Sequence, residues 1–168
     1  MTTTVPRSEP AATATPGRTV TGDAERLQIG RKILATQPFS VFLGAELTEW
    51  SGSRVKLELP MRAALQQQFG FAHGGVLSYL ADNALTFAGG GALGEAVLTA
   101  ELKINYLRPA LGERLIAEAE VLHAGKTQAV CRCEIYAVAD GQAKLCAAAQ
   151  GTIVRLPGPA PLPPAASA

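Results

Sequence analysis

A single carboxylate stands in a long apolar stretch near the middle of the chain. Between Arg62 and Glu95, only His73 and Asp82 have side chains that can carry a charge near neutral pH. Burying a carboxylate is costly unless it is paired with another group or used in chemistry. Asp82 is therefore the leading candidate for a catalytic base or nucleophile.

The segment around this aspartate predicts a buried helix from Val76 to Ala88. It contains no glycine or proline, and apolar side chains occur nearly all the way round it, which is typical of a helix enclosed by other elements. Glycines flank the segment on both sides, at positions 74, 75, 89, 90 and 91. These glycines predict the two ends of the helix.

His73, Gly74 and Gly75 fall at the predicted start of this helix. The first N–H groups of a helix lack partners and lie at the positive end of its dipole, so they favour an anion or an oxyanion. Glycine also allows a substrate carbonyl to approach the backbone closely. The three residues together predict a site for developing negative charge, although His73 alone is more typical of a structural histidine.

The spacing of these groups constrains the active unit. Asp82 lies eight residues beyond Gly74, which corresponds to roughly 12 Å along a helix. A Gly74 N–H and an Asp82 carboxylate on one helix therefore cannot both act on one carbonyl group. Two such helices packed antiparallel about a twofold axis would bring Gly74 of one beside Asp82 of the other, so the active unit is expected to be at least a dimer.

Two hydroxyl groups share the helix face of the aspartate. Ser78 and Thr86 lie four residues before and four residues after Asp82, a spacing that makes side chains neighbours on a helix. The polar stripe is compatible with a catalytic aspartate, and a structural aspartate that the hydroxyls satisfy is the alternative.

The rest of the chain predicts an α+β fold. A helix is expected over residues 24–36, capped by Asp23 and ended by Pro38. Alternating apolar and polar side chains predict strands over residues 42–50, 54–59, 96–107, 114–124, 127–139 and 143–156. One long, curved antiparallel sheet wrapped around one central buried helix accommodates this order.

Composition narrows the domain organisation. Residues 23–156 form the predicted domain, between a disordered tail of residues 1–22 and a Pro/Ala-rich disordered tail of residues 157–168. The net charge of +1 and the pI near 7.7 give no reason to expect nucleic acid or an anionic membrane as a partner.

Location and metal binding are also constrained. No apolar run reaches the roughly 18 residues of a membrane span, and the N-terminus lacks a signal-peptide apolar region, so a cytoplasmic location is expected. The three cysteines have neither metal-ligand spacing nor paired histidines. They are predicted to be buried free thiols, with no metal site.

Three segments resemble a known family. HGGVLSYLAD (residues 73–82), INYLRPA (residues 104–110) and HAGKTQAV (residues 123–130) resemble segments of the hotdog-fold acyl-CoA thioesterases of the PaaI-like (phenylacetyl-CoA thioesterase) type. The resemblance extends from Phe42 to Leu156. It implies a hotdog fold, hydrolysis of an acyl-CoA thioester, dimers paired into tetramers, and no cofactor besides the coenzyme A of the substrate.

The resemblance also implies roles for particular residues. The catalytic carboxylate falls on Asp82, the carbonyl-polarising N–H on Gly74 of the partner subunit, and a water-holding hydroxyl on Thr99. Gln67 takes the place of an asparagine that often precedes the histidine by six residues, a departure that lengthens the side chain. The predicted catalytic residues are Asp82, Gly74, His73, Gln67 and Thr99. The predicted substrate-binding residues are Gly75, Ser78, Asn83, Arg108, Lys126 and Thr127. Of these, Arg108, Lys126 and Thr127 suit the phosphates of coenzyme A.

The expected function is hydrolysis of an aryl- or medium-chain acyl-CoA, with Asp82 as general base or as nucleophile. The acyl group is expected to contact aromatic side chains such as Phe69, Phe71, Tyr79 and Phe87. One alternative is a non-catalytic acyl-CoA sensor or carrier. Another is an enoyl-thioester hydratase, which would have a histidine at the position of Phe87.

Overall fold

The computed structural model describes residues 20–52, 54–94 and 96–158. The helices are α1 (Val20–Ala35), α2 (Pro38–Leu43) and α3 (Gly74–Leu93), and a single 3₁₀ turn (Ala63–Leu65) precedes α3. The strands are β1 (Glu46–Ser51), β2 (Arg54–Pro60), β3 (Val97–Tyr106), β4 (Arg114–Ala124), β5 (Gln128–Ala139) and β6 (Gln142–Arg155). Within these described residues, no helix has the length and hydropathy needed to cross a membrane.

All six of these strands form one antiparallel sheet in the order β1-β2-β4-β5-β6-β3. The sheet wraps around α3, whose residues Leu80, Ala81, Ala84 and Leu85 are completely buried. Burial of apolar surface between the helix and the sheet is the main stabilising term for such a layered core. The predicted α+β class and hotdog fold are confirmed.

The outer face of the sheet is polar, as the alternation in β2 and β4 predicts. Lys56 Nζ lies 2.9 Å from Glu118 Oε1, and Glu120 forms ion pairs with both Arg54 and Arg132. These ion pairs join neighbouring strands at the surface, where each contributes little to stability. The opposite face of the same strands supplies the core.

Helix α3 is longer than predicted because its flanking glycines are part of it. A Cβ atom on Gly89 would lie 2.6 Å from Cβ of Ile153, and one on Gly91 would lie 2.8 Å from Nε1 of Trp50. Close packing against neighbouring elements therefore requires glycine inside the helix and overrides its low helix propensity. The helix ends instead at Gly94, which has φ 77° and donates its N–H to Gly90 O.

The prediction of a strand beginning at Phe42 was wrong. Residues 38–43 form α2, in which Pro38 occupies the first turn, where its missing N–H costs nothing. Gly44 ends α2 in the left-handed region, with φ 80°, and β1 begins only at Glu46.

Helix α1 begins earlier than predicted. It starts at Val20, so that Asp23 lies in its first turn instead of capping it. Residues 1–19 and 159–168, which make up most of the two predicted tails, lie outside the described residues.

Strand β3 contains a bulge that controls which side chains face α3. The register of β3 against β6 shifts between Thr99 and Glu101, so Ala100 is an extra residue. Because side chains alternate along a strand, the extra residue lets Thr99 and also Leu102, Ile104 and Tyr106 face the helix side. In the described part of the chain β3 has one neighbour in the sheet, β6, and its other edge is unpaired.

The cysteines are buried free thiols, as predicted. Burial raises the pKa of Cys131 to about 11 and that of Cys133 to about 12, because a thiolate is poorly solvated in an apolar interior. These groups therefore remain protonated at neutral pH and are unreactive as nucleophiles.

Replacement of Gly89 by alanine tests the close packing of α3 on the sheet. We expect Gly89→Ala to lower the free energy of unfolding by about 1–3 kcal/mol, because the added methyl group overlaps Ile153. Gly90→Ala is the control, since its Cβ would meet only a Val97 methyl group at 3.3 Å. Urea denaturation measures both, and equal stabilities would contradict the packing argument.

Candidate active site

The first turn of α3 leaves one backbone donor unused. His73 is the N-cap, and its Nδ1 accepts the Gly75 N–H at 3.0 Å. The N–H groups of Val76 and Leu77 donate to His73 O at 2.9 and 3.4 Å. The Gly74 N–H has no hydrogen-bond partner among the described residues, so it is available at the positive end of the helix dipole.

The segment that leads into α3 is fixed by backbone hydrogen bonds. Ala72 donates its N–H to Ala110 O, and His73 donates its N–H to Leu65 O, both at 2.9 Å. These bonds tie the start of the helix to the 3₁₀ turn and to the loop after β3. The chain is therefore anchored immediately before Gly74.

Asp82 lies half-buried on the face of α3 that meets β3. Thr99 donates its hydroxyl proton to Asp82 Oδ1 at 2.6 Å. Thr86 donates to the backbone oxygen of Asp82 at 2.8 Å and lies 3.0 Å from the Thr99 hydroxyl. No described residue donates to Asp82 Oδ2, so this oxygen is available to accept a proton from water.

Tyr106 was not singled out by the sequence, yet it contacts the start of α3. Its hydroxyl oxygen lies 3.1 Å from Gly74 O and 2.7 Å from Ser78 Oγ. Tyr106 stands at the C-terminal end of β3 and Thr99 near the N-terminal end, so β3 runs antiparallel to α3. A tyrosine at the end of a partly apolar strand gives no sequence signal for such a contact.

The side chain of Asn83 contacts other elements than the side chain of Asp82 does. It is 8% exposed, and its Nδ2 lies 3.0 Å from Gln37 Oε1, 3.1 Å from Ser40 Oγ and 3.0 Å from Tyr79 OH. The amide therefore joins α3 to α2, and burial raises the pKa of the Tyr79 phenol beside it. The sequence did not predict this role because it did not predict α2.

Gln67 lies in the loop before α3, at the same end as Gly74. Its N–H donates to Phe71 O at 2.8 Å, and its carboxamide oxygen accepts the Phe69 N–H. The carboxamide nitrogen has no partner within the described part of the chain. The side chain thus retains two donor protons for another group.

Three of the aromatic residues expected around the acyl group have different surroundings. Phe87 is 6% exposed and packs edge-to-face on Trp50, with ring centroids 5.3 Å apart, so it belongs to the core. Phe69 is 73% exposed, while Tyr79 is half-buried against Phe39 of α2.

The basic residues expected near coenzyme A are split between two ends of the sheet. Arg108 donates its N–H to Cys146 O, whereas Thr127 O accepts the N–H of Arg155. Cys146 and Arg155 are separated by nine residues of β6, which is about 30 Å along a strand. Lys126, adjacent to Thr127, therefore lies far from Arg108 in the same chain.

The candidate residues thus form two groups. The glycine end comprises Gln67, His73, Gly74, Gly75, Ser78 and Arg108. The aspartate end comprises Asp82, Thr99, Lys126 and Thr127. The glycine end holds a free backbone N–H and the aspartate end holds a free carboxylate oxygen, and neither end holds both.

Comparison with known proteins places this arrangement in a family. A family model described as the thioesterase superfamily matches residues 69–144. A thioesterase family protein from Silicibacter pomeroyi is 38% identical, with a TM-score of 0.76, over 79% of this chain and 99% of that chain. A Halobacterium salinarum protein, provisionally named an esterase, is 34% identical over 59% of this chain and 70% of its own length.

The chain belongs to the thioesterase superfamily and is by that membership a thioester hydrolase. Within the superfamily it is PaaI-like. The Escherichia coli PaaI protein from the phenylacetic acid degradation operon is 25% identical, with a TM-score of 0.70, over 82% of this chain and 97% of that chain. The resemblance seen in the sequence is therefore confirmed.

Substitutions at His73 test its capping role. We expect His73→Ala to lower the free energy of unfolding by about 1 kcal/mol, because the Gly75 N–H loses its side-chain acceptor. His73→Asn retains an acceptor at the N-cap and should be close to wild type. Urea denaturation of the three proteins measures this, and equal losses for Ala and Asn would contradict the capping role.

Proposed function

We propose that the protein is an acyl-CoA thioesterase whose active site is built from two copies of the chain. The substrate is the thioester of an aryl- or medium-chain acyl-CoA. Membership of the thioesterase superfamily supports the reaction class. The observation that carries the proposal is the separation of the reactive groups along α3, with a free Gly74 N–H at its first residue and a free Asp82 Oδ2 eight residues further on.

The unpaired edge of β3 can form the interface between the two copies. Tyr106 lies level with Gly74, and Thr99 lies level with Asp82. Antiparallel pairing of β3 with β3 of a second copy, centred near Leu102, brings Thr99 of one copy opposite Tyr106 of the other. The Asp82 of one copy then faces the Gly74 N–H of the other, in agreement with the requirement drawn from the helix spacing.

The same twofold axis accounts for the separated basic residues. Arg108 lies just beyond the Tyr106 end of β3, and Thr127 lies beside Arg155, which pairs with Val97 at the other end. Pairing of the two strands therefore brings Arg108 of one copy towards Lys126 and Thr127 of the second. Basic side chains gathered in this way suit the phosphates of coenzyme A.

In the proposed mechanism, the glycine end of one copy binds the thioester and the aspartate end of the other copy activates water. The thioester carbonyl oxygen accepts the Gly74 N–H, which stabilises negative charge as the tetrahedral intermediate forms. Asp82 of the second copy accepts a proton at Oδ2 from a water molecule that also contacts Thr99, and the water oxygen adds to the carbonyl carbon. The carbon–sulfur bond then breaks, and the proton passes to the departing thiolate, which gives a carboxylic acid and free coenzyme A. Direct attack by Asp82, giving a mixed anhydride, is the alternative route.

Other parts of the proposal depend on the resemblance and on composition. Gln67 has a free carboxamide nitrogen with which to orient the carbonyl or the partner carboxylate. Dimers associate into a tetramer, the protein acts in the cytoplasm, and coenzyme A enters only as part of the substrate. The three free thiols fit a reducing compartment.

Asp82→Ala tests the assignment of the base. We expect turnover to fall at least about a hundredfold with the fold intact, because the water loses its proton acceptor. Release of free thiol from aryl and aliphatic acyl-CoAs of different lengths measures it, with Thr48→Val on β1 as a remote control. A folded Asp82→Ala protein that retains activity would contradict the assignment, and wild-type binding without thiol release would favour the sensor alternative.

A pair of substitutions at Gly74 tests the oxyanion donor. Gly74→Pro removes the N–H and adds a ring that the backbone can accept, since proline is favoured in the first helical position and His73, with φ −64° and ψ 137°, already has a pre-proline conformation. Gly74→Ala keeps the N–H, and its Cβ would lie an ordinary 3.5 Å from Tyr106. We expect kcat to fall about 10²–10³-fold for Pro and much less for Ala. Equal losses for the two variants would exclude the N–H as donor.

Mixing the two inactive variants tests whether the site is shared. If Asp82→Ala and Gly74→Pro chains are unfolded together and refolded in equal amounts, half of the dimers contain one intact site. Thiol release should then recover to about a quarter of the wild-type rate per chain. A site contained in one chain predicts no recovery, so the absence of recovery would contradict the shared site.

A further inference from the structure

Tyr106 and Ser78 form a hydrogen-bond chain that ends on the residue carrying the proposed oxyanion donor. The Tyr106 hydroxyl oxygen lies 3.1 Å from Gly74 O and 2.7 Å from Ser78 Oγ. A carbonyl oxygen can only accept, so the single phenolic proton is donated to Gly74 O. The Ser78 hydroxyl must then donate to the Tyr106 oxygen, so the donor and the acceptor of both hydrogen bonds are known.

The first turn of α3 requires such a restraint. Gly74 and Gly75 are consecutive residues without side chains, and glycine has more backbone freedom than any other residue. An oxyanion donor is effective only when its direction is fixed before the reaction. The other restraints on this turn come from His73 and from the segments before α3 and after β3, whereas Tyr106 is the side chain that ties the turn to β3.

The two proposed reactive groups are each tied to β3 by one hydroxyl. Thr99 binds the Asp82 carboxylate at one end of the strand, and Tyr106 binds the Gly74 carbonyl at the other. If two copies pair through β3, the strand register then sets the distance between the base of one copy and the donor of the other. Because both groups are bound to β3, a small movement of α3 against the sheet would change this distance little.

We propose that Tyr106, supported by Ser78, is a positioning residue that fixes the Gly74 N–H relative to β3. The inference depends on the proposed function for its catalytic consequence, although the restraint itself does not. Loss of the phenolic hydroxyl leaves the aromatic ring in place and frees the glycine turn. Turnover then falls, whereas the affinity for substrate, the stability of the fold and dimer formation change little.

Tyr106→Phe is the direct test, with Tyr136→Phe as the matched control. Tyr136 is on β5, and its hydroxyl bonds to Glu134, which is not one of the candidate site residues. We expect Tyr106→Phe to lower kcat about tenfold with KM within about twofold of wild type, and Tyr136→Phe to leave both unchanged. Ser78→Ala should lower kcat less, and the double variant should be no slower than Tyr106→Phe because the two hydroxyls act in series.

Amide hydrogen exchange tests the restraint without catalysis. Exchange at Gly75, whose N–H donates to His73 Nδ1, should be faster in Tyr106→Phe than in wild type and unchanged in Tyr136→Phe. Unchanged exchange with unchanged kcat would overturn the inference, as would a rise in KM alone, which would indicate a substrate contact. If wild type releases no thiol from any acyl-CoA, the proposed function fails while the exchange experiment still decides whether the restraint exists. Should Tyr106→Phe not form dimers, Ser78→Ala serves for both measurements.

Discussion

The close approach of α3 to the concave face of the sheet is the contact on which the rest of the structure depends. Ala81, Ala84 and Ala88 are completely buried, and Gly89 leaves no room for a methyl group beside Ile153. Small residues along the helix allow its backbone to come near the strands. A bulkier helix would lie farther out, and the side chains of β3 would then no longer reach it.

That short distance explains why hydroxyl groups can connect helix and strand directly. The side chains of Thr99 and Tyr106 have fixed lengths, so their bonds to Asp82 and Gly74 form only because the helix lies close to β3. Hydrogen bonds to a charged or strongly dipolar group are also stronger when partly shielded from water. Core packing and site geometry are thus two results of the same arrangement of small residues.

Much of the fold could be predicted from the sequence, but less of the site. The apolar run around Asp82 and the alternation in residues 54–59 determine the central helix and the strands, because periodicity reports burial directly. Helix α2 and the inclusion of Gly89 in α3 depend on contacts with distant residues, which local propensity does not report.

The positions of site residues were predicted to different extents. Asp82 and Gly74 were visible as chemically unusual residues in an apolar segment, and their separation could be calculated. The contacts of Asn83 and Tyr106 depend on where α2 and the end of β3 lie in space. The opposite positions of Arg108 and Lys126 likewise follow from strand order, which neighbouring residues in the sequence do not specify.

The bulge at Ala100 has a consequence for comparing this chain with its relatives. The extra residue changes the parity of β3, so that odd-numbered positions face the helix before it and even-numbered positions after it. In a relative whose strand has no bulge, every second residue along the whole strand would face the helix. Residues equivalent in space to Thr99 and Tyr106 would then be separated by one residue fewer along its sequence, and their correspondence should be established by superposition instead of by counting.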